Sequence, residues 1–89
     1  MTIAVKKFGD YLISRPAGRE AYLAARSYTL PKDATESIEL DFAGVKVLTP
    51  SWLDEFMRGL EETYGPGKIK ILPSDNLSVT MSVQAIREV

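Results

Sequence analysis

The segment from Ser37 to Leu60, SIELDFAGVKVLTPSWLDEFMRGL, constrains the fold of this chain more than any other stretch. In its first half, Ile38, Leu40 and Phe42 alternate with acidic residues, which is the period-two pattern of a half-buried strand. The second half, continued to position 64, has apolar residues at helical spacing, and these are Leu53, Phe56, Met57, Leu60 and Tyr64. We therefore expect a buried, centrally placed strand that leads through a short turn into an amphipathic helix.

The start of this helix can be placed in two registers. Thr49 can be the N-cap residue, with Pro50 at the first helical position. Alternatively, Ser51 is the cap and Asp54, three residues later, forms a weak capping box. In both registers Asp54 and Glu55 lie near the positive end of the helix dipole, where carboxylates are favoured.

The N-terminal third predicts a short strand over Thr2 to Val5 and a helix that opens at Ser14-Arg15-Pro16. The pattern leaves open whether Tyr11 to Ile13 is strand or loop. The helix ends at Leu30-Pro31, because the residue before proline avoids the helical region. Its expected buried face consists of Ala17, Ala21, Ala24, Ala25 and Tyr28. The small alanines would let the helix lie close to a sheet.

The C-terminal third gives one clear strand and one conflict. The run Gly65-Pro66-Gly67 stops the preceding helix, and alternation over 68–72 predicts a short strand. Segment 77–88 also alternates with a period of two, which by itself favours a strand. We predict a helix there, because Asp75 and Asn76 are good caps and strand–helix alternation elsewhere requires a covering helix.

Length and composition exclude several kinds of site. With 89 residues the chain has room for one domain, over 1–89. It contains no cysteine and no histidine. This excludes disulfides, thiolate metal sites and catalytic arrangements that need a histidine base within this chain. We expect no metal and no cofactor.

Charge and hydropathy favour a cytoplasmic protein. Eleven basic and twelve acidic residues are interspersed and give a net charge of -1, which does not favour nucleic-acid binding. No apolar run approaches the ~20 residues that span a bilayer. The N-terminal MTIAVKKFGDYL lacks the long apolar core of a secretion signal.

The string LDFAGVKVLTPSWLDEF resembles the pattern of the STAS-like family of unknown function. The shared features are Leu-Asp-Phe, then Gly-Val, a Thr/Ser pair, an aromatic residue and Asp-Glu. Phe8-Gly9, Ser14-Arg15 and Asn76 match the flanking pattern, so the resemblance runs from about Ile3 to Val89. It implies a small α/β sandwich of the STAS type, in which a short mixed sheet carries about three helices, mainly on one face.

The resemblance also implies kinship with anti-sigma-factor antagonists. These small switch proteins dock onto histidine-kinase-like ATPases and are turned off by phosphorylation of a serine at the start of the helix after the central strand. The antagonists have an Asp-Ser-Ser-Gly type sequence there, whereas this chain has Thr49-Pro50-Ser51-Trp52. The phosphorylated serine aligns with Pro50, which has no hydroxyl, so the antagonist phosphosite is not preserved. Thr49 and Ser51 are the neighbouring hydroxyls that could substitute for it as phosphoacceptors.

Each candidate residue also has a structural interpretation. Thr49 and Ser51 can act as cap and loop residues, and Asp54 and Glu55 as surface acids that complement the helix dipole. Asp41 is expected near the same helix start in a structural hydrogen bond, and Arg15 can pair with Asp41 or Asp54. Trp52 either covers the edge of the core or is partly exposed as a hot spot for a protein partner.

The sequence therefore predicts a regulatory protein-binding module without catalysis of its own. Its partner would be another protein, such as a histidine-kinase-like ATPase. The predicted partner surface consists of Ser14, Arg15, Asp41, Thr49, Ser51, Trp52, Asp54 and Glu55. The alternatives are a small-molecule or enzymatic site at the same helix start, built on Arg15, Asp41 and Asp54, and a purely structural role as a homodimer.

Overall fold

Five short strands and three helices follow one another in the computed structural model, which describes residues 1–33 and 35–87. The strands are β1 (Thr2–Ala4), β2 (Tyr11–Leu12), β3 (Ile38–Asp41), β4 (Val47–Leu48) and β5 (Ile69–Ile71). The helices are α1 (Arg15–Tyr28), α2 (Pro50–Tyr64) and α3 (Leu77–Arg87). Tyr11 and Leu12, which the sequence left between strand and loop, are therefore strand.

The strands form two small sheets, and every pairing among them is parallel. One sheet has the order β1-β3-β5, with Ile3 opposite Leu40 and Leu40 opposite Ile71. The other pairs β2 with β4. The predicted α/β class with three helices is confirmed, as is the central position of β3.

The three-stranded sheet buries one face and leaves the other polar. Ile3, Ile38 and Leu40 are buried in the core. On the opposite face Thr2, Glu39 and Lys70 are in register, and Thr2 Oγ1 donates to Glu39 Oε1 at 2.9 Å. The alternation of strand side chains thus puts the apolar core on the helix-covered face.

The segment between β3 and α2 differs from the expectation of one strand and a short turn. β3 ends at Asp41, whose carboxylate accepts a hydrogen bond from the Ala43 amide at 2.9 Å. Gly44 then adopts a φ of +86°, which suits glycine because it has no Cβ. This turn carries the chain into β4 in the second sheet, so β4, and not β3, leads into α2.

The buried face of α1 was predicted only in part, since Ala21 and Ala25 are buried as expected. The residues that α1 buries are Gly18, Ala21, Tyr22 and Ala25. Of the predicted face, Ala17, Ala24 and Tyr28 are exposed, and Tyr28 is 91% exposed. The reason is that α1 packs mainly against α2, where the close approach of Gly18 and Tyr22 to that helix selects the residues more strongly than apolar character does.

Tyr22 shows how closely α1 and α2 approach. Its ring lies over Gly59, where an added Cβ would lie 2.5 Å from Tyr22 Cγ. The Tyr22 hydroxyl also forms a 2.5 Å hydrogen bond with Thr63 Oγ1, which satisfies the polar end of a buried ring. The two helices are therefore fixed together by a small residue on one and an aromatic residue on the other.

The C-terminal segment, whose sequence pattern fits a strand as well as a helix, forms a helix as predicted. Asn76 Oδ1 accepts a hydrogen bond from the Ser78 amide at 2.9 Å, which caps the start of α3 as expected. α3 ends at Arg87 in the described chain, and Glu88, the last residue of the predicted segment, lies outside the described residues. Upstream, α2 ends at Tyr64 before Gly65, which has a φ of +93°.

The three helices are all short or polar relative to a membrane span. Within residues 1–33 and 35–87, none has both the length and the apolar character needed to cross a bilayer.

Candidate functional site

Thr49 fixes the start of α2. The first register is confirmed, with Thr49 as N-cap and Pro50 at the first helical position. Thr49 Oγ1 accepts from the Trp52 amide at 3.3 Å and donates to the Ile13 carbonyl oxygen. Since one hydroxyl both caps α2 and ties it to the end of β2, Thr49 has a structural role.

Ser51 differs from Thr49 in its environment. It occupies the second helical position of α2 and is exposed. Among the described residues, no side chain or main-chain group is hydrogen-bonded to its hydroxyl. Of the two predicted phosphoacceptors, Ser51 is therefore the one whose oxygen is accessible.

Arg15 connects the two helix starts. The Ser14 hydroxyl caps α1 by accepting from the Ala17 amide at 3.2 Å, which places Arg15 at the first position of that helix. Arg15 Nη1 then donates to Asp54 Oδ2 at 2.9 Å and to Glu55 Oε2 at 3.0 Å. The predicted pairing of Arg15 with Asp54 is confirmed, and Glu55 joins it.

Two further arginines extend this charged group. Arg58 Nη2 lies 3.2 Å from Asp54 Oδ2, one helical turn along α2. Arg19 Nη1 lies 3.8 Å from Glu55 Oε1. Sequence reasoning missed both residues, although Arg58 is four residues after Asp54 and Arg19 four after Arg15, the spacing at which helical side chains are neighbours.

We call Arg15, Ser51, Asp54, Glu55 and Arg58 the α2-start cluster. The hydrogen bonds that Arg15 donates, first to Asp54 and then to Glu55, raise the pKa of its guanidinium above the ordinary value. Glu55 is the most buried member, with a side chain 14% exposed, and the arginines are largely in solvent. Exposed pairs of this kind contribute little to stability, so the cluster matters chiefly as a charged surface.

The surface around the cluster is a shallow, open cleft. It has a volume of about 280 Å³, and its lining comprises Arg15, Pro50, Ser51, Asp54, Arg58, Ala85 and Ile86. It therefore lies between the start of α2 and the last turns of α3. Across the part of the chain that the structure describes, no three His, Cys, Asp or Glu side chains are arranged to hold a metal ion.

Trp52 is not part of an exposed rim. Its side chain is 1% exposed and stacks on Phe56, with ring centroids 4.9 Å apart. The interpretation that Trp52 covers the edge of the core is confirmed. The other interpretation, a partly exposed tryptophan on the partner surface, is wrong, because the third position of α2 points into the core.

Asp41 lies apart from the cluster. Its carboxylate accepts from the Ala43 amide, as the expected structural hydrogen bond, but not beside α2. It lines a different cleft of about 310 Å³, with Asp75 and Asn76 at the carboxyl ends of β3 and β5. The expectation that Asp41 ends near the start of α2 fails because β4 separates β3 from that helix.

Comparisons with known proteins give one result. The family model described as STAS-like domain of unknown function (DUF4325) matches residues 26–78, more than half of the chain. This match includes β3, β4, α2 and β5. Neither the curated proteins nor the solved structures gave a significant match.

Proposed function

We propose that this chain, which belongs to the family of STAS-like domains of unknown function, is a regulatory module. It would bind another protein and have no catalysis of its own. The observation that carries this proposal is the α2-start cluster. It combines an accessible hydroxyl, two carboxylates and two arginines on a rigid pair of helices.

Charged groups suit this role because complementary charge gives a protein interface its specificity and a fast association rate. The surrounding cleft is partly open to solvent and has a volume of about 280 Å³, below the ~300–1,000 Å³ of ordinary small-molecule pockets. The partner we propose is a histidine-kinase-like ATPase, as in the related anti-sigma-factor antagonists, and the interaction would take place in the cytoplasm.

Ser51 is the position at which this docking would be regulated. A phosphate there would add nearly two negative charges at the N-terminus of α2, where the helix dipole favours them. Arg15 and Arg58 border the same cleft as Ser51. Phosphorylation would therefore leave the fold intact and change the charge that the partner meets, whereas Thr49 uses its hydroxyl in the fold.

The test is affinity capture from the source cell with three forms of the domain, followed by binding measurements with the purified candidate. These forms are the natural protein, Asp54→Lys and Glu62→Lys. Both substitutions reverse one charge on α2, but Glu62 is eight residues, or ~12 Å, further along the helix. We expect one protein to bind the natural form and Glu62→Lys and to bind Asp54→Lys at least ~10-fold more weakly.

Circular dichroism of all three forms would show that each is folded before capture. Equal binding by all three forms would remove the α2-start cluster from the proposal. Recovery of no protein partner, together with turnover of a small molecule by the purified domain, would overturn the proposal as a whole.

A further inference from the structure

Helix α3 is held to the rest of the domain differently from α2. α2 buries seven residues, including Trp52, Leu53 and Phe56. Along its described length α3 buries only Val79 and Ser82. Two of its large apolar side chains face solvent, Leu77 at 70% exposure and Met81 at 58%. Because apolar burial is the main source of helix stability in proteins, α3 is the less firmly anchored element.

Beside the apolar contacts of Val79, Val83 and Ile86, α3 has a polar attachment, which is made to the free edge of β4. The Leu48 amide donates to Ser78 Oγ at 3.1 Å, and Ser82 Oγ donates to the Leu48 carbonyl at 2.9 Å. In a parallel ladder the N–H and C=O of one residue point to the same neighbouring strand. Two serine side chains, one turn apart on α3, thus occupy the positions that another strand would take.

Asn76 completes this attachment. Its Nδ2 donates to the Val45 carbonyl at 2.8 Å and to the Lys46 carbonyl at 3.0 Å. Its Oδ1 accepts from the Ser78 hydroxyl at 2.7 Å, which leaves the Ser78 oxygen free to accept from the Leu48 amide. The network links the start of α3 to the backbone before and within β4, so releasing α3 would free several backbone groups at once.

The sequence of α3 adds to its weak anchoring. The run from Leu77 to Val83 contains serine, threonine and valine residues, which are poor helix formers. Outside the tertiary contacts this segment would not hold a helix, because isolated helices of such length are marginal even for good formers. The apolar contacts of Val83 and Ile86 with the core are partial.

We propose that α3 is a displaceable cover for β4. It opens as a unit while α1, α2 and the three-stranded sheet stay folded, and this opening exposes the Leu48 N–H and C=O as a strand edge. The cover is a property of the fold and does not depend on the proposed partner at the α2-start cluster.

Native-state amide hydrogen exchange of the whole chain, measured residue by residue, tests this proposal. The amides of α3 and the Leu48 amide should exchange together and at least ~10-fold faster than the central amides of α2. Ser82→Ala should accelerate exchange of α3 and Leu48 by about three- to tenfold and leave α2 unchanged, because it removes one hydrogen bond of the attachment. Ser27→Ala, at an exposed position of α1, is the matched control and should change neither group.

Equal exchange rates for α2, α3 and Leu48 in the natural protein would mean that α3 opens only by global unfolding, and the proposal would fail. It would also fail if Ser82→Ala accelerated α2 as much as α3. The first comparison needs no variant, so the test holds even if Ser82→Ala folds poorly.

Discussion

Gly18 in α1 lies directly against the main chain of Trp52 in α2. A Cβ at position 18 would lie 2.5 Å from the Trp52 carbonyl oxygen and 3.2 Å from its Cα. These are main-chain atoms in the first turn of α2, which Thr49 and the Ile13 carbonyl hold in place. The absence of a side chain at position 18 therefore sets the distance between the two helices, and through it the position of Arg15 beside Asp54.

Gly18→Ala should destabilise the domain by about 1–3 kcal/mol, because a methyl group would be forced against a fixed backbone. At an ordinary helical position the same substitution would stabilise by up to ~1 kcal/mol. Urea unfolding gives the difference in the free energy of unfolding. Gly67→Ala is the control, since nothing lies within 4 Å of a Cβ there. A stabilising effect of Gly18→Ala would show that α1 and α2 are further apart than described.

Trp52 is the only tryptophan in the chain, so its fluorescence reports on one site. We expect a blue-shifted emission in the native protein and weak quenching by acrylamide, because the ring is buried against Phe56. Unfolding in urea should shift the emission to the red and raise the quenching constant several-fold. Native quenching equal to that of the unfolded chain would place Trp52 on the surface.

Thr49 and Ser51 should respond in opposite ways to the loss of their hydroxyls. Thr49→Ala removes the cap of α2 and should lower the free energy of unfolding by about 1–2 kcal/mol. Ser51→Ala should change it by less than ~0.5 kcal/mol, because the Ser51 hydroxyl is at an exposed site. Chemical denaturation of both variants measures the contrast. A cost at position 51 equal to that at position 49 would reverse the assignment of the cap.

The raised pKa of the Tyr64 hydroxyl leads us to expect a loss of stability in alkaline solution. Burial, followed by the charges of Tyr22 and Glu36, raises the pKa of the Tyr64 hydroxyl, which donates to the Pro31 carbonyl. A pKa raised by folding contributes stability that is complete below the unfolded value of about 10 and is lost as the pH rises through the folded value. Denaturation at increasing pH should therefore show a steeper loss above pH ~10 in the natural protein than in Tyr64→Phe.

The control for this series is Tyr28→Phe, since the Tyr28 side chain is 91% exposed. Tyr64→Phe itself should be about 1 kcal/mol less stable near neutral pH through the lost hydrogen bond. Parallel pH profiles for all three proteins would contradict the link between Tyr64 ionisation and unfolding.

Local patterns in the sequence predicted much of the fold. The i, i+3, i+4 spacing of Leu53, Phe56 and Met57 placed α2 correctly, and Thr49 was one of its two predicted caps, because both signals are set within a few residues. The face of α1 was not predictable in the same way. Gly18 is selected there by the shape of a neighbouring helix, which no hydropathy pattern records.

The alternation in α3 also has a tertiary cause. Ser78 and Ser82 look like the polar side of a strand, yet they are a helical i, i+4 pair whose hydroxyls bind Leu48. A helical i, i+4 pair of serines thus resembled the alternating polar positions of a strand. The cap at Asn76 favoured the helix, and the hydrogen bonds to Leu48 explain why serines occupy these two positions.

In the candidate site, Arg15, Asp54 and Glu55 could be predicted, since helix starts attract charged and hydroxyl side chains. Asp41 was not placed correctly, and the core position of Trp52 was one of two interpretations. The position of Asp41 depends on the turn at Gly44, which leads into the second sheet. The position of Trp52 depends on how deeply the first turn of α2 is buried in the core.

The start of α2 is proposed as the surface that meets a partner protein. A titration of the isotope-labelled domain with the captured partner, in which the amide chemical shifts are measured, tests this proposal most directly. We expect the largest shift changes at Ser51, Asp54, Glu55 and Arg58 and at Arg15 across the cleft. Shifts confined to the opposite sheet face at Thr2, Glu39 and Lys70, with the α2-start cluster unchanged, would contradict it.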